Sequence, residues 1–210
     1  MTGSLNKNPK LEGDWVGEVS PKGYALLYRM KKHLYSKKSD FQQIDVVETD
    51  LLGKMLLNDS LVMVTEKDES IYHEMMAHVP VNLHPNPQRV LIIGGGDGGT
   101  AREVLRHKEV DECVMVEIDE VVVEACREHI PQTGAIFEHP KLNLLIADGV
   151  EYAKNAKEPF DVILVDSTDP IGPATPLFGP EFYGNLHRLL KDDGILVAQG
   201  ETPVYEQPMQ

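Results

Sequence analysis

The stretch Arg89-Val-Leu-Ile-Ile-Gly-Gly-Gly-Asp-Gly-Gly-Thr100 constrains the fold more than any other part of the chain. Val90 to Ile93 is an unbroken apolar run with β-branched residues, the pattern of a strand buried on both faces. Five glycines and one aspartate follow at once. Ala101, Val104 and Leu105 then fall at helical spacing, so the pattern predicts a helix from about Gly99 to His107. Strand, glycine turn and helix in that order make the first βα turn of a nucleotide-binding sheet. The backbone must turn sharply there and admit a ligand without a Cβ in its way.

A second apolar strand, Cys113-Val-Met-Val-Glu-Ile-Asp119, ends in Glu117 and Asp119. An acid at the tip of the second strand is where such folds bind ribose hydroxyls. Gly94, Gly96 and Gly99 also satisfy G-x-G-x-x-G, which fits NAD as well as an adenosyl sulfonium. Asp97 separates the two. A dinucleotide places its pyrophosphate over this loop, where amides and the helix dipole favour anions. A carboxylate in the loop repels a pyrophosphate and suits a ligand that is cationic at this point, so NAD is disfavoured.

From Arg89 onward strands and helices alternate. Strands are predicted at 90–93, 113–118, 142–147, 160–166 and 194–199, and helices at 99–107, 119–130, 149–156 and 180–190. Gly194 is read as a helix stop. The result is a Rossmann-like, class I methyltransferase-type parallel sheet with helices on both faces. The segment 15–66 reads as a small β-rich domain, with strand-like runs at 25–30 and 44–49 and a hairpin at 54–65 turning on Asn58-Asp-Ser60. Residues 1–14 read as a flexible N-terminus and 67–210 as the catalytic domain. Between the two regions a helix is expected over 66–79, with Ile71, Met75 and Val79 on one face, Tyr72 and Met76 on the adjacent one, and Pro80 as its stop.

Length and composition set the outer bounds. A chain of 210 residues with 41% hydrophobic and 26% charged content can bury a globular core. The formal net charge of −14 argues against nucleic acid or an anionic membrane as partner and is compatible with a polycationic substrate. Cys113 and Cys126 read as buried free thiols. No signal peptide or membrane span is visible, and the cytoplasm is the default location.

Four strands end in acid: Asp97 just past the first, then Glu117, Asp148 and Asp166. One such acid is ordinary, since Asp caps helices, and Asp148 fits capping as well as binding. Four on one rim need compensating cations. No metal-ligand spacing lies nearby, so no metal is expected and an organic cation is. The loop after Asp166, rich in Gly and Pro, reads as a lid over the site.

Three motifs now converge: Gly94-Gly-Gly-Asp-Gly-Gly99, Asp166-Ser-Thr-Asp-Pro170 and Tyr72-His-Glu-Met75. With Gln42, Thr65-Glu66, Glu117-Ile-Asp119, Asp148-Gly149 and Gln199-Gly-Glu201, the chain from Trp15 onward resembles the polyamine aminopropyltransferases. The resemblance implies transfer of an aminopropyl group from decarboxylated S-adenosylmethionine, as co-substrate, to a diamine such as putrescine. It implies a homodimer or homotetramer and no prosthetic group. On the nucleoside side it places Gln42, Gly94, Gly96, Gly149, Glu117 on the ribose, Asp148 on the adenine amino group and Asp97 on the aminopropyl ammonium. On the diamine side it places Tyr72, His73, Asp169, Gln199 and Asp166, the last as proton acceptor with Tyr72 assisting. A tyrosine on an amphipathic helix is also an ordinary core residue. Asn58 and Ser60 depart from the family pattern at the nucleoside edge and at a turn. The family continues past the equivalent of Gln210, so the resemblance implies that the last part of the catalytic domain lies beyond this sequence. Two other readings stay open: an S-adenosylmethionine-dependent amine N-methyltransferase, and a truncated relative that binds nucleoside without turnover.

Overall fold

The computed structural model describes residues 12–20, 23–169 and 172–200. Most of the expected flexible N-terminus, Pro170 and Ile171 of the expected lid, and Glu201 with the residues after it lie outside the described residues.

The first sheet is antiparallel, in the order β1 (Trp15–Ser20), β2 (Tyr24–Lys38), β3 (Gln43–Thr49), β4 (Gly53–Asn58), β5 (Leu61–Thr65). The strand expected at 25–30 is only the first part of β2. Residues Tyr24–Arg29 pair with β1, and Met30–Lys38 continue past that partner to pair with β3. The expected hairpin turns on Asp59 and Ser60 between the paired Asn58 and Leu61. Both turn residues have positive φ, 48° and 70°, the mirror-image turn whose twist matches the strands.

The second sheet is parallel. Its strands are β6 (Arg89–Gly94), β7 (Glu112–Glu117), β8 (Leu142–Ile146), β9 (Phe160–Asp166) and β10 (Leu190–Ala198), in the spatial order β10-β9-β6-β7-β8. The strand order reverses at β6, which opens a crevice at the carboxyl ends between β6, β7 and β9. Alternate residues of the buried strands serve opposite faces. Val90, Ile92, Cys113, Met115, Val162 and Leu164 pack with Ile44, Val46 and Leu56 of the first sheet in one core. Leu91, Ile93, Val114, Val116, Ile163 and Val165 pack with Phe182 and Leu186 in the other. Both cysteines are free and buried, as expected.

The helices are α1 (Glu69–Leu83), α2 (Gly99–Val104), α3 (Glu120–His129), α4 (Pro131–Gly134), α5 (Gly149–Asn155) and α6 (Pro180–Leu189). Three expectations need correction. First, α1 runs through Pro80 instead of ending there. A proline inside a helix forfeits a hydrogen bond at a cost of about 3 kcal/mol; here Pro80 and Val81 are both buried, and the helix closes with His84 N–H on the Pro80 carbonyl. Second, of the two expected faces of α1 the one with Ile71, Met75 and Val79 is not the buried one. His73, Met76, Ala77, Pro80 and Val81 face inward, while Ile71 and Met75 are 72% and 64% exposed. The helix is apolar on two adjacent sides, and it is the side with Met76 that is buried. Third, α6 stops at Leu189 and the chain enters β10 directly. Gly194 lies within β10, inside the register shift between Leu190 and Ile195, and stops no helix. The helix expected over 99–107 also shortens to α2 followed by turns, and α4 with the 3-10 turn Ala135–Glu138 was not anticipated.

Candidate active site

The glycine loop is shaped by the protein itself. Gly94 has φ of +87°, and a Cβ there would lie 2.1 Å from the Asp166 carbonyl oxygen. That carbonyl accepts from Gly95 N–H at 2.8 Å, which ties the end of β9 to the loop. A Cβ on Gly96 would meet Glu117 Oε2 at 2.8 Å. The loop glycines thus let the crevice acids approach the backbone, a reason absent from the sequence argument.

Asp166 ends β9 and is half-buried. Its Oδ1 accepts from the Tyr72 hydroxyl at 2.7 Å, across from α1, and its Oδ2 from the Thr100 hydroxyl at 2.6 Å, in the first turn of α2. Burial and the neighbouring Asp97 charge raise its pKa above the ordinary carboxylate range; the two hydroxyls and His73 pull the other way. Tyr72 is pushed up by burial and by the Asp166 charge, so it remains a donor at any working pH.

Asp97 Oδ1 accepts from Gly99 N–H at 2.7 Å and faces His73 Nε2 at 3.2 Å. His73 is buried, and its Nδ1 lies 2.6 Å from Glu69 Oε2. Both ring nitrogens are therefore engaged with carboxylates, and His73 reaches the crevice through Asp97. Burial by itself would lower the histidine pKa; Asp97 and Glu69 outweigh it and hold it up at about 9.

Glu117 closes β7 and is buried, with its Oε1 accepting from Asp119 N–H at 2.9 Å. Burial pushes its carboxyl up to about 7. Asp119 caps α3 and also joins the two sheets: its Oδ2 accepts from Ser39 Oγ at 2.7 Å and from Gln42 Nε2 at 3.0 Å. Gln42 is thus held beside the tip of β7. Asp148 is exposed and caps α5, with Oδ1 taking Val150 N–H at 2.7 Å and Glu151 N–H at 3.3 Å. Gly149 follows it directly, buried, and a Cβ there would run into Ile93 at 2.6 Å. Asp169 Oδ1 accepts from Gln199 Nε2 at 3.0 Å, and Gln199 N–H bonds the Val165 carbonyl.

Asp97, Asp166, Tyr72 and His73 come together as one connected cluster, with Glu117 at the tip of the neighbouring strand. Asp169 and Gln199 form a separate pair linked to β9 by backbone. Sequence reasoning overlooked Thr100, Glu69, Arg102 and Ser39. Thr100 follows the glycine motif directly but carried no distinguishing spacing, and Ser39 shows only as a turn residue, its Oγ accepting from Phe41 and Gln42 N–H.

The family model described as the spermine/spermidine synthase domain matches residues 69–210, and the spermidine synthase tetramerisation domain matches residues 14–66. The chain belongs to the spermine/spermidine synthase family. Among its relatives, the polyamine aminopropyltransferase of Clostridium kluyveri is 47% identical over 191 residues, covering 91% of this chain and 70% of that protein. That of Methanocaldococcus jannaschii is also 47% identical, covering 91% of this chain and 65% of that protein. A spermidine synthase solved in complex with the transition-state analogue AdoDATO superposes with a TM-score of 0.90 at 45% identity, over 94% of this chain and 68% of that one. The spermidine synthase of Thermotoga maritima gives a TM-score of 0.87 at 43% identity, over 95% and 67%. The chain therefore spans about two thirds of the length of these family members. The Rossmann-like class and the family resemblance read from the motifs both hold, and the chain is a transferase of this family.

Proposed function

We propose that this family member moves the aminopropyl group of decarboxylated S-adenosylmethionine to putrescine or a similar diamine, giving spermidine and methylthioadenosine. The observation that carries the reading is the pair Asp97 and Asp166, one carboxylate on each side of the β6–β9 crevice with Tyr72 and Thr100 on Asp166. Likeness to a spermidine synthase that binds a transition-state analogue supports it.

In this reading Glu117 takes the ribose hydroxyls, Asp148 the adenine amino group and Asp97 the aminopropyl ammonium, with Gln42, Gly94, Gly96 and Gly149 around the nucleoside. Asp169 and Gln199 hold the far ammonium of the diamine. Decarboxylation leaves a cofactor tail that is only cationic, so Asp97 attracts it and repels the carboxylate of S-adenosylmethionine itself. The attacking amine has a pKa of about 10.4, like lysine, and arrives protonated. Asp166 takes that proton, directly or through water. The freed lone pair attacks the carbon next to sulfur, the C–S bond breaks, and its electrons neutralise the sulfonium as methylthioadenosine leaves. Holding both ammonium ends converts the encounter into a local one. The match to a tetramerisation domain and the exposed Val19, Tyr24 and Leu26 of the first sheet support a homodimer or homotetramer through β1 and β2. The cytoplasm, where both substrates would be met, is the inferred location.

The test is incubation with putrescine and either sulfonium, with products identified by mass spectrometry. Spermidine and methylthioadenosine from the decarboxylated form are expected. N-methylputrescine from S-adenosylmethionine, or binding without product, would overturn the reading.

A further inference from the structure

The hydrogen bonds behind Asp97 run inward. Glu69, in the first turn of α1, is buried. Arg102 of α2 grips it with both terminal nitrogens, Nη1 to Oε1 and Nη2 to Oε2, each at 2.9 Å. Such a fork-on-fork pair fixes orientation as well as charge. Arg102 is itself steadied by Glu103 Oε1 at 2.7 Å and by the Gln132 carbonyl at 3.1 Å. One helical turn beyond Glu69, His73 Nδ1 meets Glu69 Oε2, and the opposite ring nitrogen meets Asp97. Each ring nitrogen faces a carboxylate oxygen, and only the doubly protonated ring has a hydrogen for both. The ring plane is fixed by close packing. A Cβ on Gly99 would lie 2.1 Å from His73 Cε1, and the Tyr72 ring meets it edge-on with centroids 5.4 Å apart.

Both oxygens of Glu69 are taken by protein groups, so any influence on the reaction passes through His73. We propose that Glu69, clamped by Arg102, is a positioning residue that locks His73 as an imidazolium against Asp97 and so sets the charge state of the crevice carboxylates. The proposal rests on the reading of Asp166 as the proton acceptor given above.

The groups that face His73 are Glu69 on its own helix, Asp97 on the glycine loop, Asp166 at the end of β9 and the Tyr72 ring, with Arg102 of α2 behind Glu69. Their balance gives the sign. Carboxylates raise the histidine against its burial, and the resulting cation pulls Asp166 down against burial and Asp97. Without the Glu69 charge, His73 loses its proton at lower pH. Above that pH Asp97 and Asp166 have lost their facing cation, whereas the wild type still holds it.

The experiment uses the 210-residue chain, with His73 side-chain titration by nitrogen NMR beside pH profiles of kcat/KM. Glu69→Gln is expected to lower the His73 midpoint by about one unit or more, the size of a close charge contact. Arg102→Lys, which keeps the charge and loses the fork, shifts it less in the same direction. The kcat/KM profiles of wild type and Glu69→Gln should coincide below the variant's His73 midpoint and separate between the two midpoints, where only the wild type keeps a cation beside the crevice carboxylates. Unmoved midpoints in both variants, or a rate loss uniform across pH, would overturn the proposal. Should Glu69→Gln fail to fold, a wild-type His73 midpoint at about 6.5 overturns it alone. The titration is read on the free protein, so a wild type that makes no spermidine counts against the proposed function and not against the His73 lock.

Discussion

Asp166 and Asp148 both stand at the carboxyl end of a parallel strand, yet the protein treats them differently. Asp166 is half-buried, with a hydroxyl on each oxygen and Asp97 as a charged neighbour. Asp148 is exposed and spends one oxygen on the first amides of α5. A carboxylate surrounded by protein groups has a pKa that the fold can move, which proton transfer needs. A carboxylate left to solvent offers a hydrogen-bond acceptor. The rim thus divides into an end suited to chemistry and an end suited to recognition.

The sharpest way to break this division is Asp166→Asn. It should lower kcat by about 1,000-fold, within the usual range for a general base, while methylthioadenosine affinity measured by calorimetry stays within about two-fold. Parallel losses in both would make Asp166 a binding residue like its counterpart. Next in size is Tyr72→Phe. One donor to the ionised Asp166 disappears, so its pKa rises and the acid limb of the kcat/KM profile moves to higher pH, with about ten-fold less activity on that limb. An unshifted limb would separate the hydroxyl from the chemistry.

At the other end, Asp148→Ala should cost about 1 kcal/mol of stability as α5 loses its cap, read from denaturant midpoints. Nucleoside affinity should weaken about ten-fold, with kcat at saturation nearly unchanged. A kcat effect as large as that of Asp166→Asn would erase the contrast. The smallest expected signal concerns Glu117, between the two ends. Its carboxyl titrates at about 7, and ribose hydroxyls donating to it favour the charged form. Nucleoside binding at pH 7 should therefore release about half a proton, visible as a buffer-dependent binding enthalpy. Proton uptake instead would place the ribose elsewhere.

The succession of strands and helices and the acids at the strand tips were legible because both follow from local pattern. Buried parallel strands read as continuous apolar runs, and the residue after each run marks its carboxyl end. The face of α1 was not legible. Ile71, Met75 and Val79 share one side and Met76, Ala77 and Val81 another, and both are apolar enough to bury. Pro80 misled for a related reason: its cost is local, whereas the packing that offsets it comes from the sheet. Glu69, Arg102 and Thr100 stayed hidden because their partners lie 33 and 66 residues away.

What the sequence determined by itself is the alternation of strand and helix, the glycine turn and the sign of the charge that lines the crevice. Those depend on residue type and on spacing within one element, which the chain displays directly. Only the tertiary structure decided which carboxylate is held by hydroxyls, which is left to solvent, and that His73 stands between two acids. Each of those depends on distances between elements far apart in the chain, and the acidity of a side chain follows its neighbours in space rather than in sequence.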